Sequence, residues 1–167
     1  MKLHNLQNLL VQRLRNHWDC EDKMVDTIPA LRIAANSNRL TLALAHYEDL
    51  SAKNIRRLTT CFEHLDTVQF GGRCIPSEAF MIEVEDLVSS EGDPRVVDRG
   101  IISLVSALTQ LKHALYQSTE SIAEELGLSE VAERLRFAAE DELAAFEEFQ
   151  HLGVREEARA EPTAIPA

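Results

Sequence analysis

Glu21, Lys112 and Glu142 are the residues of this chain best placed to do chemistry. Each lies mid-segment at a position that a helical repeat assigns to the apolar face. An isolated charge at such a position is strongly unfavourable, so each must find a partner. Two carboxylates from different helices can hold a divalent cation, or they can share the ammonium of Lys112, which sits at a comparable depth in its own helix. The second arrangement needs no metal. His17 precedes Glu21 by four residues and shares its face, a spacing that lets one helix offer an imidazole and a carboxylate to a single ion. A hydrogen-bonded core histidine accounts for the same residue without any ligand role.

The other polar candidates carry less. His113 is one position off its stripe and belongs at a helix boundary, and His4, His46, His64 and His151 share no spacing and read as surface or rim residues. Cys20 points about 100° away from Glu21 around the helix. Cys61 and Cys74 read as small buried hydrophobes. In the acidic runs Glu140-Asp141-Glu142 and Glu147-Glu148, only Glu142 falls on the apolar stripe, and the rest form solvated helix face. Phosphate loops, nucleophile elbows, H-E-x-x-H and EF-hand loops are all missing from the sequence.

Four long helices are needed to position these residues. Leu3, Leu10, Leu14, His17, Glu21, Met24, Ile28, Leu31 and Ala35 form one stripe and predict helix one over about Leu3 to Ala35, with a kink near residues 25 to 29 ahead of Pro29. Asn36-Ser37-Asn38 stops and restarts the chain. Leu40, Leu44, Tyr47, Asn54, Leu58, Phe62 and Leu65 then predict helix two over Asn38 to Leu65. Gly71-Gly72 marks a turn, and Ser77 opens a short connecting helix with Ala79, Phe80, Ile82, Val84 and Leu87 on its apolar side.

Asp93 and Pro94 start helix three, whose stripe is Ile101, Val105, Leu108, Lys112, Leu115, Thr119, Ile122 and Leu126, closed by Gly127. Ser129 caps helix four, with Val131, Leu135, Ala138, Glu142, Ala145, Phe146 and Phe149 inward and an end near Gly153. The organisation is therefore one helical domain over 1–153 and a disordered tail over 154–167. The gap of roughly 28 residues between helices two and three exceeds what an adjacent antiparallel pair needs. Two helical hairpins joined by a long crossover carrying a short helix give an all-α, ferritin-like four-helix bundle.

Composition agrees with that fold class and limits the partners. The chain has 45% apolar and 5% aromatic residues, with Leu, Ala and Glu dominant, which suits helices packed on helices. The net charge of −11 repels a phosphate backbone or an anionic membrane surface, so neither nucleic acid nor membrane is expected as a partner. Three cysteines without paired or zinc-like spacing, and no signal segment or long apolar run, predict reduced thiols in a cytoplasmic protein.

Over about Leu3 to Leu152 the sequence resembles the YciE/YciF ferritin-like proteins of bacteria, a family associated with stress responses. The resemblance is carried by Asp19-Cys20-Glu21-Asp22-Lys23, Arg57-Leu58 with Phe62, Cys74, Asp93-Pro94-Arg95-Val96-Val97-Asp98, Ala114-Leu115-Tyr116, Ile122-Ala123-Glu124-Glu125-Leu126-Gly127 and Glu140-Asp141-Glu142, in that order. It implies a dinuclear iron or manganese carboxylate site and a homodimer. Of the implied ligands, the glutamates of the first and last helices match Glu21 and Glu142. The helix-two pattern H-x-E-E-T falls on Tyr47-Glu48-Asp49-Leu50-Ser51, placing Leu50 at a ligand position, with Asn54 one turn on. The helix-three pattern E-H-Y-E falls on Thr109-Gln110-Leu111-Lys112, and the acidic residue four after the last glutamate becomes Phe146.

Two like-charged metals about 3.5 to 4 Å apart need several anionic ligands, and here a cation stands in a ligand position. The expectation is a non-catalytic bundle without a cofactor, in which a Glu21–Lys112–Glu142 network replaces the metals. The competing expectation is an iron- or manganese-binding oxidase or ferroxidase using Glu21, Glu142, Asp49 and His17.

Overall fold

The computed structural model describes residues 4–157, with side chains through Gly153. Five helices follow in order: α1 (Leu6–Ala34), α2 (Asn38–His64), α3 (Ile75–Val88), α4 (Pro94–Glu125) and α5 (Ser129–Glu157). All regular structure among the described residues is helical, and no helix is long and apolar enough to cross a membrane. The hairpins α1/α2 and α4/α5 pack side by side, with α3 on the crossover between them touching α1 and α4. This is a ferritin-like four-helix bundle.

Local chemistry sets several helix ends. Asn5 is extended, and its side chain accepts the Asn8 N–H at 2.8 Å, so α1 starts at Leu6 and not at Leu3, which lies outside the described residues. The helix runs on through Pro29 to Ala34. Asp93 caps α4 by accepting the Arg95 N–H at 2.9 Å. Gly127 ends it in the left-handed region (φ +70°), while the Leu128 N–H reaches back to the Ala123 carbonyl at 2.9 Å. Ser129 is already helical, one residue earlier than its expected capping role.

Three expectations are corrected. First, α5 continues past Gly153 to Glu157, so the expected tail over 154–167 begins as helix, and its remainder, 158–167, lies outside the described residues. A Cβ at Gly153 would meet only the far end of the flexible Arg99 side chain from α4, which can move aside, and the helix carries on through the glycine. Second, α3 begins at Ile75, two residues before Ser77, and buries Ser77, Phe80 and Val84 with Leu87 half-buried, leaving Ala79 and Ile82 exposed. Steps of three and four from Ser77 select this face; apolar character alone does not. Third, α4 turns Tyr116 inward, fully buried, where Leu115 was expected, because the stripe steps by four after Lys112.

The core divides into two apolar clusters. One gathers Met24, Ile28, Leu31, Leu40, Leu44, Ile101, Val105 and Phe149; the other gathers Leu10, Leu14, Leu58, Phe62, Ala123, Val131 and Leu135. Tyr47 belongs to the first cluster and Tyr116 to the second. Their hydroxyls reach Glu142 and Glu21, which lie with Lys112 in a polar layer between the clusters. Asp98, only 4% exposed, ties the α1–α2 turn to α4 by accepting the backbone N–H groups of Asn36 and Ser37 at 2.7 and 2.8 Å. That contact fixes the relative position of the two hairpins, and with it the depth at which their charged residues meet.

Candidate functional site

All four long helices contribute to the polar layer. Glu21 from α1, Asn54 and Tyr47 from α2, Lys112 and Tyr116 from α4, and Glu142 from α5 are each at most 2% exposed. The Lys112 ammonium lies 2.8 Å from Glu21 Oε2, 2.7 Å from Glu142 Oε1 and 3.1 Å from the Tyr47 hydroxyl. An ammonium has three protons, and these three acceptors use all of them. The Tyr116 hydroxyl donates to Glu21 Oε1 at 2.6 Å, the Tyr47 hydroxyl to Glu142 Oε2 at 3.2 Å, and the Asn54 amide to both carboxylates at 3.3 Å. Every carboxylate oxygen in the layer therefore has a donor. Arg57 links the layer toward solvent, donating to Asn54 Oδ1 at 2.8 Å and to Asp141 Oδ2 at 2.7 Å.

Charge in this layer is balanced only with a proton to spare. With both carboxyls ionised, one ammonium leaves a net −1 away from water, which is costly. Burial accordingly pushes the Glu142 carboxyl up to about 7, with Glu21 adding to the effect and Lys112 opposing it. Burial works to discharge Lys112 too, but Glu142 and Glu21 outweigh it and hold the ammonium well above its ordinary range. Burial first, and then the neighbouring carboxylates, raise both tyrosines, so they remain neutral donors.

His17 is buried and stacked on Tyr116, ring centroids 4.1 Å apart and nearly parallel. Its Nε2 lies 2.9 Å from the Thr119 hydroxyl, whose own proton goes to the Leu115 carbonyl at 2.9 Å, so the Nε2–H donates. Burial lowers the imidazole to about 3, helped by Lys112 and Arg13. This is a neutral core histidine turned to α4. His113 sits at the α4–α5 boundary, with Nδ1 2.8 Å from the Ala139 carbonyl. Asp49 is exposed, which corrects its candidacy as a ligand: it is two residues from both Tyr47 and Ser51, which define the buried face of α2.

These residues do not fit a dinuclear metal centre. Among the described residues no group of three or more His, Cys, Asp or Glu side chains could hold a metal ion. Glu21 and Glu142 do converge, but the ammonium between them is already fully coordinated by hydrogen bonds. Leu50, at a position where the resemblance to the YciE/YciF proteins implies a ligand, packs against an apolar cluster. The sequence reading missed Tyr116, and it placed Tyr47 and Asn54 on the inner face without assigning their polar ends. The available signal was the hydrogen-bonding requirement of buried polar groups: a Tyr or Asn on a buried stripe needs an acceptor or donor at its tip.

Comparison with known proteins agrees with this architecture. Residues 5–160 match the family described as Domain of unknown function (DUF892). Protein YciF of Escherichia coli (strain K12) is 21% identical over 146 residues, covering 86% of this chain and 87% of that protein. The crystal structure of the E. coli stress protein YciF superposes with a TM-score of 0.90 at 18% identity, covering 95% of this chain and 100% of that one. YcfI from Rhodopseudomonas palustris superposes with a TM-score of 0.85 at 23% identity, covering 89% and 95%. At these identities the solved structures speak for the fold alone. The family match spans nearly the whole described bundle, and the chain belongs to the DUF892 family as a divergent YciF-like member.

Proposed function

We propose that this chain is a non-catalytic YciF-like bundle protein in which Lys112 takes the place of a dinuclear metal centre as counter-ion for Glu21 and Glu142. One observation carries the reading: the Lys112 ammonium is buried between the two carboxylates at 2.8 and 2.7 Å, with its third proton on Tyr47. A divalent ion would have to expel that ammonium and would then find two carboxylates where a metal pair needs more. The layer holds the four helices in register and leaves no open coordination position for oxygen or peroxide.

The reading extends to a cytoplasmic homodimer with a stress-associated role. The stress association is drawn from the E. coli relative, which is described as a stress protein. Self-association is supported by exposed apolar residues at one end of the bundle: Ile33 in the last turn of α1, Leu42 early in α2 and Val96 in the first turn of α4, which the Asp98 contact brings to the same end.

The test is metal analysis of tag-free protein purified without chelator and again after anaerobic ferrous or manganous loading. Metal far below one ion per chain in both preparations is the expected result. Near-stoichiometric iron or manganese overturns the counter-ion reading and assigns oxidase or ferroxidase chemistry to Glu21 and Glu142. Sedimentation of the same preparation should give a dimer, and a monomer removes the self-association.

A further inference from the structure

The crossover carries apolar side chains that the bundle leaves uncovered. Ile75, Ala79 and Ile82 follow one another at steps of four and three, so they share one side of α3. Ser77, Phe80 and Val84 are buried on the other side, where α3 touches α1 and α4. Val68 and Phe70 precede the helix in the loop that leads to it. Val68, Phe70, Ile75 and Ile82 are 61%, 65%, 55% and 62% exposed, and such a group on one segment differs from the scattered single apolar residues of an ordinary surface. One turn of α1 gathers them. Arg15 donates to the Val68 carbonyl at 3.0 Å, the Trp18 ring meets Phe70 edge-on at 5.7 Å, and Asp19 accepts the Cys74 N–H, next to Ile75, at 2.8 Å.

The loop is also held firmly. Asn16 accepts the Arg73 N–H at 3.1 Å, and Gly72 lies directly on α1, where a Cβ would strike the Arg15 carbonyl. A surface fixed in this way binds without first having to be ordered. Its rim is acidic: Glu83, Glu85 and Asp86 are exposed on α3, and Asp22 and Asp26 are exposed on α1 at either side of Lys23. The cations of the region are already engaged, Lys23 by Asp19 and Glu78 at 2.7 and 3.3 Å and Arg73 by Glu78 at 2.9 Å. A second copy of the same face would set acid against acid, and an anionic membrane would meet the same repulsion. The complementary occupant is apolar along one stripe and basic at its edges.

We propose that the outward side of α3 and the loop before it dock a basic amphipathic helix of another protein. The apolar stripe of that helix lies on Phe70, Ile75 and Ile82, and its Lys and Arg side chains reach Glu83, Glu85 and Asp86. Burial of the apolar side chains supplies the affinity, and the acidic rim selects the partner's charge and speeds its approach. The surface shares no residue with the Lys112 layer, so metal found in that layer would leave the docking intact, and failure to dock would leave the layer intact.

The probe is a synthetic leucine–lysine helix about four turns long, the length of α3, with its leucines in one stripe and no tryptophan. It is titrated into full-length protein by calorimetry, while emission from Trp18, the one tryptophan of the chain, reports contact at Phe70. The probe should bind with a Kd of about 1–100 μM, shift the Trp18 emission and weaken as salt rises. Ile82→Lys should raise Kd about tenfold or more, whereas Leu42→Lys, which adds the same charge at an equally exposed residue of α2, should leave it unchanged. Absence of saturable binding overturns the proposal, as does equal affinity for a probe of the same composition with its leucines scattered around the helix. Equal weakening by the two variants would reduce the binding to overall charge and overturn it too. So would a dimer that Ile82→Lys dissociates, since a second copy would then cover the face.

Discussion

The Lys112 layer and the ion cluster where α3 meets α1 use the same kinds of side chain at the same distances, yet their charges behave in opposite ways. In the layer, Lys112 lies 2.7 and 2.8 Å from two carboxylates with no solvent at hand. In the cluster, Lys23 is 2.7 Å from Asp19 and 3.3 Å from Glu78, and Arg73 is 2.9 Å from Glu78, with side chains 24% to 72% exposed. Arg73 holds the half-buried Glu78 carboxyl down near 2, while burial pushes the fully buried Glu142 up to about 7 despite a closer cation. Distance alone does not rank these contacts. Water decides, because it stabilises each exposed charge whether or not the partner is present.

The sharpest way to break this contrast is to remove the central cation. Lys112→Met strands two carboxylates, and the expected loss is about 3–5 kcal/mol of unfolding free energy by urea denaturation at pH 8. Adding Glu21→Gln and Glu142→Gln to that variant should restore most of the loss. A single variant as stable as the parent would show that the layer is not an interdependent network.

A smaller effect follows from the Glu142 carboxyl. Its folded-state pKa lies above the unfolded value, so between about 4.5 and 7 the folded state holds a proton that the unfolded state has released. Stability must therefore fall as pH rises through that window, by up to about 3 kcal/mol. Neutral His17 gives the opposite slope, its contribution being full above 6.5 and lost as pH falls toward about 3. The difference between parent and Glu142→Gln profiles cancels the histidine and isolates the carboxyl. Denaturation series at several pH values should show that difference growing in favour of Glu142→Gln as pH rises, and parallel profiles would count against a proton held in the layer.

The smallest effect belongs to the exposed cluster. Lys23→Met should cost under about 1 kcal/mol, and the cost should shrink in high salt. A loss comparable to that of Lys112→Met would erase the distinction between the two networks.

The helices were legible because their signals are local. Stripes at steps of three and four placed Glu21, Lys112 and Glu142 inward, and Asp93 and Gly127 marked the ends of α4 through backbone groups a few residues away. The errors arose where a local signal had a distant cause. Gly153 read as a helix stop, but α5 runs on through it; Ile82 read as core, but α3 turns it to solvent.

Residue type and periodicity are properties of single segments, and they sufficed for the five helices and the depth of each buried charge. Which groups meet was settled only by the packing of those segments. Lys112 is 91 residues from Glu21, Tyr116 is 95 from Glu21, and Tyr47 is 95 from Glu142. Contacts of that kind depend on how two hairpins and their crossover are set against each other, through the Asp98 anchor and the interlocking of two apolar clusters, and no single segment encodes that choice.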